Sequence, residues 1–179
     1  MSLRFSIHPL KFFKKPVMNS DFILNASPLI LLGKADLLRI VGPLADLWIM
    51  PEGVVAEVEK KRSIGQYIAE LEISSKTSLE SVEQINSHVA AWDLGQGESE
   101  VLSLALQKGA GTKVVLDDLQ ARKCAKLLDI GLIGSVGLLV MANRLGVINS
   151  LNPEINKLRE VGLRVDPDLL ATIYQKISD

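Results

Sequence analysis

Four acidic side chains stand where they could act together. Glu57 lies in the helical segment after "LWIMP", Glu98 is the second residue of the run "GESEVLSLALQK", and Asp117 and Asp118 directly follow "VVL". Carboxylates held close together repel one another, and a divalent cation relieves that repulsion. The chain has one cysteine and two histidines, so oxygen ligands would dominate a metal site, which favours Mg²⁺ or Mn²⁺ over zinc.

Helical phase distinguishes the two acids of the "GESEVL" run. At about 100° per residue, one apolar stripe forms along this helix, made of Val101, Leu102, Ala105 and Leu106. Glu98 falls at the centre of the stripe and Glu100 nearly opposite, which predicts that Glu98 faces the protein and Glu100 faces water. An inward carboxylate in a first turn either caps its own helix or ligates a cation, and position alone does not decide between the two.

The other polar candidates also have a structural and a functional interpretation. One of Asp117 and Asp118 is a natural N-cap for the next helix, whereas two adjacent acids at a strand end favour a cation. Asn25 ends the first apolar strand and is either a turn or cap residue or an uncharged ligand to a hard cation. Glu57 falls at the edge of its apolar stripe, so phase alone leaves it half exposed.

Apolar strands alternate with amphipathic helices along the chain. The strands are "DFIL", "LWIM", "KVVL" and "GLIG"; the helices include 98–108, 119–128 and 136–145, and two more begin at Asn152-Pro153 and Asp166-Pro167, each an N-cap followed by proline. Residues 63–92 are ambiguous and predict a helix, a polar link and a second helix. This rhythm indicates an α/β fold with a parallel sheet covered on both faces.

In such a sheet, binding sites lie at the carboxyl ends of the strands. The side chains found there are predicted to be Asn25, the 51–57 turn, Asp117 with Asp118, and Gly134 with Ser135.

Length and composition limit the remaining possibilities. The length of residues 18–179 indicates a single domain, and residues 1–17 are predicted to form a flexible appendage. No apolar run is long enough for a membrane span, and the absence of a secretory leader predicts a cytoplasmic protein.

A net charge of −1 means that a nucleic-acid substrate would need a local basic patch, for which "EKKR" at 59–62 and "KFFKK" are the candidates. "GQGESE" lacks the third glycine of a dinucleotide fingerprint.

Several motifs occur in one order: "ILNASPLILL", "MPEGVVAEV", "LGQGESEVLSLAL", and "VVLDDLQAR" followed by "GLIGSVGLL". Together they resemble the PIN-domain nucleases, specifically the DUF3368-like branch close to the prokaryotic VapC-type toxins, from Asp21 to Asp168. The resemblance implies a three-layer α/β/α domain with a central parallel sheet. It also implies clustered acids that hold Mg²⁺ or Mn²⁺ and hydrolyse RNA phosphodiesters.

The resemblance also implies roles for individual residues. Glu57 matches the second acid of the family, Glu98 the third, and Asp118, with Asp117 beside it, the acid after the fourth motif strand; the supporting hydroxyl residues would be Ser27 and Ser135. Asn25 stands where most members have the metal-binding aspartate. This departure leaves two predictions. One is an endoribonuclease, which as the toxin of a toxin–antitoxin pair would have a small antitoxin partner and a homodimeric state. The other is a catalytically degenerate module that binds RNA or protein.

Overall fold

A five-stranded, all-parallel sheet forms the centre of the molecule, with strand order β3-β2-β1-β4-β5. The structure, a computed structural model, describes residues 20–61 and 63–178, with side chains through residue 175. The predicted appendage, residues 1–17, lies outside these ranges, as does the "KFFKK" run. The strands are β1 (Asp21–Leu24), β2 (Leu47–Pro51), β3 (Lys76–Glu80), β4 (Thr112–Val115) and β5 (Gly131–Ile133).

Helices cover both faces of this sheet, as the α/β/α prediction requires. They are α1 (Ala26–Lys34), α2 (Leu38–Val41), α3 (Glu52–Glu59), α4 (Ile64–Leu71), α5 (Ser87–Ala90), α6 (Gln96–Lys108), α7 (Leu119–Leu127), α8 (Ser135–Arg144), α9 (Asn152–Glu160) and α10 (Pro167–Ser178). The long helix α6 crosses β1, β2 and β4 and packs on α3. A separate group, α1, α2 and α8, packs together. The three-layer architecture is therefore confirmed.

The central strand β1 is buried because every residue after Asp21 is apolar. Phe22 meets Trp48 of β2 edge to face, with ring centroids 5.3 Å apart, and the Trp48 indole N–H donates to the carbonyl of Gly42 at 3.0 Å. Burial of side chains of this size contributes about 1.5–3 kcal/mol each. This packing makes the strand ends rigid supports for the polar residues that follow them.

The ambiguous stretch 63–92 contains a strand that the sequence did not predict. It forms α4, then β3, then α5, so the segment expected to be a polar link is β3. Its sequence, "KTSLE", is mostly polar because β3 is an edge strand with one neighbour and partly exposed side chains.

The last two helices begin close to their predicted positions. Asp166 caps α10 by accepting from the N–H of Asp168 at 2.8 Å, as predicted. The prediction for Asn152 is wrong by one residue: it is the first residue of α9, and Leu151 holds the cap position without a side-chain hydrogen bond. Proline still stands in the first turn, where its missing N–H costs nothing.

The apolar side chains of α10 divide between the core and the surface. Leu170 and Ile173 pack against the core, so this helix lies against the rest of the domain, and Leu169 remains 51% exposed. The side chain of Ile177 lies outside the described residues.

Cys124 is fully buried, and this burial raises the pKa of its thiol. None of the helices in residues 20–61 and 63–178 has the length and apolar character that a membrane crossing requires.

Candidate functional site

The strand order brings the predicted acids to one edge of the sheet. The chain adds β2 and β3 on one side of β1 and then crosses back to add β4 and β5 on the other side. The direction of strand addition therefore reverses at β1, and a crevice forms at the carboxyl ends of β1 and β4. A cleft of about 680 Å³ opens there. Its lining includes all four predicted carboxylates and the predicted serine of α1, namely Glu57, Glu98, Asp117, Asp118 and Ser27.

Asn25 lies beneath this cleft and is 1% exposed. It occupies the N-cap position of α1, yet its side chain does not cap the helix. Its Nδ2 instead donates to Oε1 of Glu98 at 3.4 Å. Its Oδ1 is buried, and no donor among the described residues reaches it. A buried carbonyl oxygen without a donor is costly, so this atom is one that a bound cation or water would satisfy.

Glu98 accepts a hydrogen bond from Asn25 through Oε1. Its Oε2 turns back toward Gly95, the N-cap residue of α6, where a Cβ would collide with this oxygen. The half-buried carboxylate therefore lies between the first strand and the start of its own helix, a position that fits both a capping role and a metal-ligand role.

Gly97 forms the wall between Asn25 and Glu57. A Cβ at this position would lie 3.3 Å from both Oδ1 of Asn25 and Oε2 of Glu57. Both oxygens therefore border the point that a side chain at residue 97 would occupy, and glycine leaves that point free of side-chain atoms. Both are acceptors, so neither can donate to the other, whereas a cation or a water could serve both.

Asp117 is held by Ser135 at the start of α8. Its Oδ1 accepts from the backbone N–H of Ser135 at 2.8 Å, and its Oδ2 accepts from the Ser135 hydroxyl at 2.5 Å. Ser135 is completely buried. Ser135, which follows β5, therefore fixes the orientation of Asp117, which follows β4.

Ser135→Ala is expected to lower the free energy of unfolding by about 1–2 kcal/mol, because a charged acceptor loses its hydroxyl donor. Urea unfolding of both proteins measures the difference. Ser81→Ala, at an exposed serine outside the cleft, is the control and should change stability by less than about 0.5 kcal/mol. Equal stability of Ser135→Ala and wild type would contradict a structural role for this hydrogen bond.

Asp118 and Glu57 each have one oxygen engaged. Asp118 is the N-cap of α7, where its Oδ1 accepts from the N–H of Ala121 at 2.9 Å, so the capping interpretation holds for this member of the pair. Oε1 of Glu57 pairs with Nζ of Lys61 at 3.2 Å. The second oxygen of each carboxylate remains available to a ligand in the cleft.

The side chains fit a divalent cation in composition but do not surround a point as they stand. No three His, Cys, Asp or Glu side chains in residues 20–61 and 63–178 have the spacing of a metal site. The acids instead turn toward Lys61, Ser135 and Ala121. The oxygen-rich side chains, the unpaired Oδ1 of Asn25 and the free point at Gly97 nevertheless suit a hard cation with oxygen ligands.

Three basic residues complete the lining, and sequence analysis missed two of them. Lys34 ends α1, Lys61 follows α3 and belongs to the "EKKR" candidate, and Arg164 follows α9. Arg62 of the same run lies outside the described residues. Neither Lys34 nor Arg164 belongs to a run of basic residues, so only the fold brings them to the cleft.

Glu100 corrects the prediction from helical phase. It is 7% exposed rather than facing water, and its Oε2 accepts from the backbone N–H of Gly53 at 2.7 Å. The reason is that α6 is buried on two sides, against the sheet and against α3, so the side opposite its apolar stripe is also covered.

The strands and the cleft lie in a region that matches one protein family. None of the curated proteins matches the chain. The DUF3368 family model, described as a PIN domain, matches residues 21–179, which includes every strand and every cleft residue named above. The chain therefore belongs to the DUF3368 family of PIN domains.

Proposed function

We propose that this PIN domain is a metal-dependent endoribonuclease that hydrolyses RNA phosphodiesters in the cleft at the carboxyl edge of the sheet. The observation that carries the proposal is the orphaned Oδ1 of Asn25, which faces the same space as Oε2 of Glu57 beside the bonded Glu98. The residues that would hold a divalent cation are Asn25, Glu57, Glu98, Asp117 and Asp118. When bound, Mg²⁺ or Mn²⁺ would activate the attacking water and offset the charge that develops on the phosphate.

The side chains of the cleft would each have a separate task. Asn25 orients Glu98 through its amide N–H, and Ser135 orients Asp117 through two hydrogen bonds. Lys34, Lys61 and Arg164 would bind the phosphates on either side of the cleavage position. A chain with a net charge of −1 needs such a local group of cations to attract RNA.

The proposal extends to the biological setting. Affinity for RNA at an acidic cleft is compatible with the toxin of a toxin–antitoxin pair, whose small antitoxin would cover the cleft, and with a homodimer in the cytoplasm. Co-expression with the product of a short neighbouring reading frame tests the first part, and light scattering of the purified protein tests the second. Loss of cleavage in the co-expressed complex and a dimer mass are the expected results.

A second candidate is a catalytically degenerate PIN module that binds RNA or a protein partner. Two observations favour it: an amide stands where most members have an aspartate, and the acids of the described chain do not form a three-ligand group. Loss of one negative ligand weakens affinity for a divalent cation.

Incubation of the purified protein with a mixed RNA pool separates the two candidates. The nuclease should cleave with Mg²⁺ or Mn²⁺ and stop when the ion is removed by chelator. A degenerate module should retard the RNA in a gel with or without the ion and leave it intact.

A further inference from the structure

Glu100 is a buried carboxylate that the proposed reaction does not use. Its two oxygens accept from the N–H of Gly53 at 2.7 Å and from Nε2 of Gln96 at 2.8 Å. Among the ion pairs of the described residues, Glu100 has no partner. Its charge is therefore balanced by hydrogen bonds and by the positive end of α3.

The contact between Glu100 and α3 requires a glycine. Gly53 is the second residue of α3, where backbone N–H groups have no partner within the helix. A Cβ at Gly53 would lie 2.6 Å from each oxygen of Glu100. Such a distance is too short for carbon and oxygen, so any larger residue would displace the carboxylate or the helix.

This contact joins the two helices that carry acids of the cleft. Gly53 lies one turn before Glu57 on α3, and Glu100 lies two residues after Glu98 on α6. A Cβ at Gly97 of α6, the residue that borders Glu57 and Asn25, would also lie 3.5 Å from Cγ2 of Val54, the residue after Gly53. A shift of α3 along α6 would therefore change the distance between Glu57 and Asn25.

We propose that Glu100 is a positioning residue that holds α3 against α6, so that Glu57 and Glu98 face one cation space. The inference rests on the proposed metal-dependent function. Glu100 does not touch the cation space itself, since both of its oxygens are engaged by α3 and by Gln96.

Titration with Mn²⁺, followed by the melting temperature, tests this role without using activity. In Glu100→Ala the Mn²⁺ concentration needed for a given rise in melting temperature should increase about tenfold or more, as for other residues that orient metal ligands. Glu100→Gln keeps an oxygen that can accept from Gly53, so its Mn²⁺ requirement should rise less. Gly53→Ala should resemble Glu100→Ala, and the double variant should be no worse than either single variant.

Leu44→Val is the matched control, because Leu44 is buried in the turn before β2 at the opposite edge of the sheet. It should lower the melting temperature and leave the Mn²⁺ requirement unchanged. If Glu100→Ala behaves in the same way, Glu100 is only a stabilising residue and the inference is wrong, while the proposed function stands. If Glu100→Ala does not fold, Glu100→Gln and Gly53→Ala provide the same comparison.

A wild-type protein without any response to Mn²⁺ would instead count against the proposed function. The crystal structures of wild type and the Glu100 variant then decide the positioning role. Movement of Glu57 relative to Glu98 in the variant supports it, and unchanged positions overturn it.

Discussion

Replacing Glu98 with glutamine is expected to lower RNA cleavage by about 100-fold or more, because a metal ligand loses its charge. Glutamine has nearly the same shape and can still accept from Nδ2 of Asn25, so the fold should persist. The initial rate of cleavage of an RNA pool in Mn²⁺ measures the effect, together with the melting temperature. A large loss of rate at an unchanged melting temperature would assign Glu98 to the chemistry.

Two further variants control this result. Asp118→Asn should lose activity to a similar extent and keep its stability, since asparagine also caps helices. Glu83→Gln changes an exposed acid outside the cleft and should cleave at the wild-type rate. Equal rates in all variants would mean that a contaminating ribonuclease cleaves the RNA and that the Glu98 assignment is unsupported.

Asn25→Asp is expected to make stability strongly dependent on Mn²⁺. The new carboxylate would be buried 3.4 Å from Oε1 of Glu98, and the N–H that now joins the two side chains would be gone. Without a cation, the unpaired buried charge should cost about 3 kcal/mol of unfolding free energy. Mn²⁺ at 100 times its Kd would restore about 2.7 kcal/mol through preferential binding to the folded state.

Urea unfolding in chelator and in Mn²⁺ measures both parts of this prediction, and cleavage in Mn²⁺ should be kept or raised. Asn149→Asp places the same change on the surface and should have no effect under either condition. If Asn25→Asp is as stable as wild type in chelator and gains nothing from Mn²⁺, Asn25 does not lie in a cation site.

Much of the fold and of the cleft follows from local sequence. Apolar segments such as "DFIL" are long and apolar enough to predict buried strands, and the parallel arrangement then places the residues after them at one edge. This reasoning predicted Asn25, Asp117 and Asp118 at one edge, and helical phase separately turned Glu98 toward the protein; the structure brings Asn25 to Glu98, and Glu98, Asp117 and Asp118 to one cleft. It also identified Ser135, whose hydrogen bonds to Asp117 only the structure could reveal.

The misses have one physical cause, which is that neighbouring elements change the environment of a residue. Helical phase places Glu100 opposite the apolar stripe of α6 and therefore predicts that it faces water. In the structure, α3 covers that side of the helix. The polar strand β3 is held by pairing with β2, not by an apolar pattern. Lys34 and Arg164 are far apart in the chain and meet at the cleft only because of the fold.

The amide of Asn25 differs from an aspartate in the groups that it offers to the cleft. Aspartate in its place would supply charge, whereas the amide supplies one acceptor to the cleft and one donor to Glu98. The donor offsets part of the lost ligand by orienting the neighbouring acid. If the cleft binds a cation as proposed, the amide should give weaker affinity than an aspartate.

In the proposed site, separate parts of the chain bring oxygen atoms to one cation. A crystal soaked in Mn²⁺ shows whether they do. An anomalous difference peak is expected in the cleft, within coordination distance of Oδ1 of Asn25, Glu98 and at least one other acid. A soaked crystal without such a peak would contradict the account. So would acids that keep their present bonds to Lys61, Ser135 and Ala121 with no ion among them.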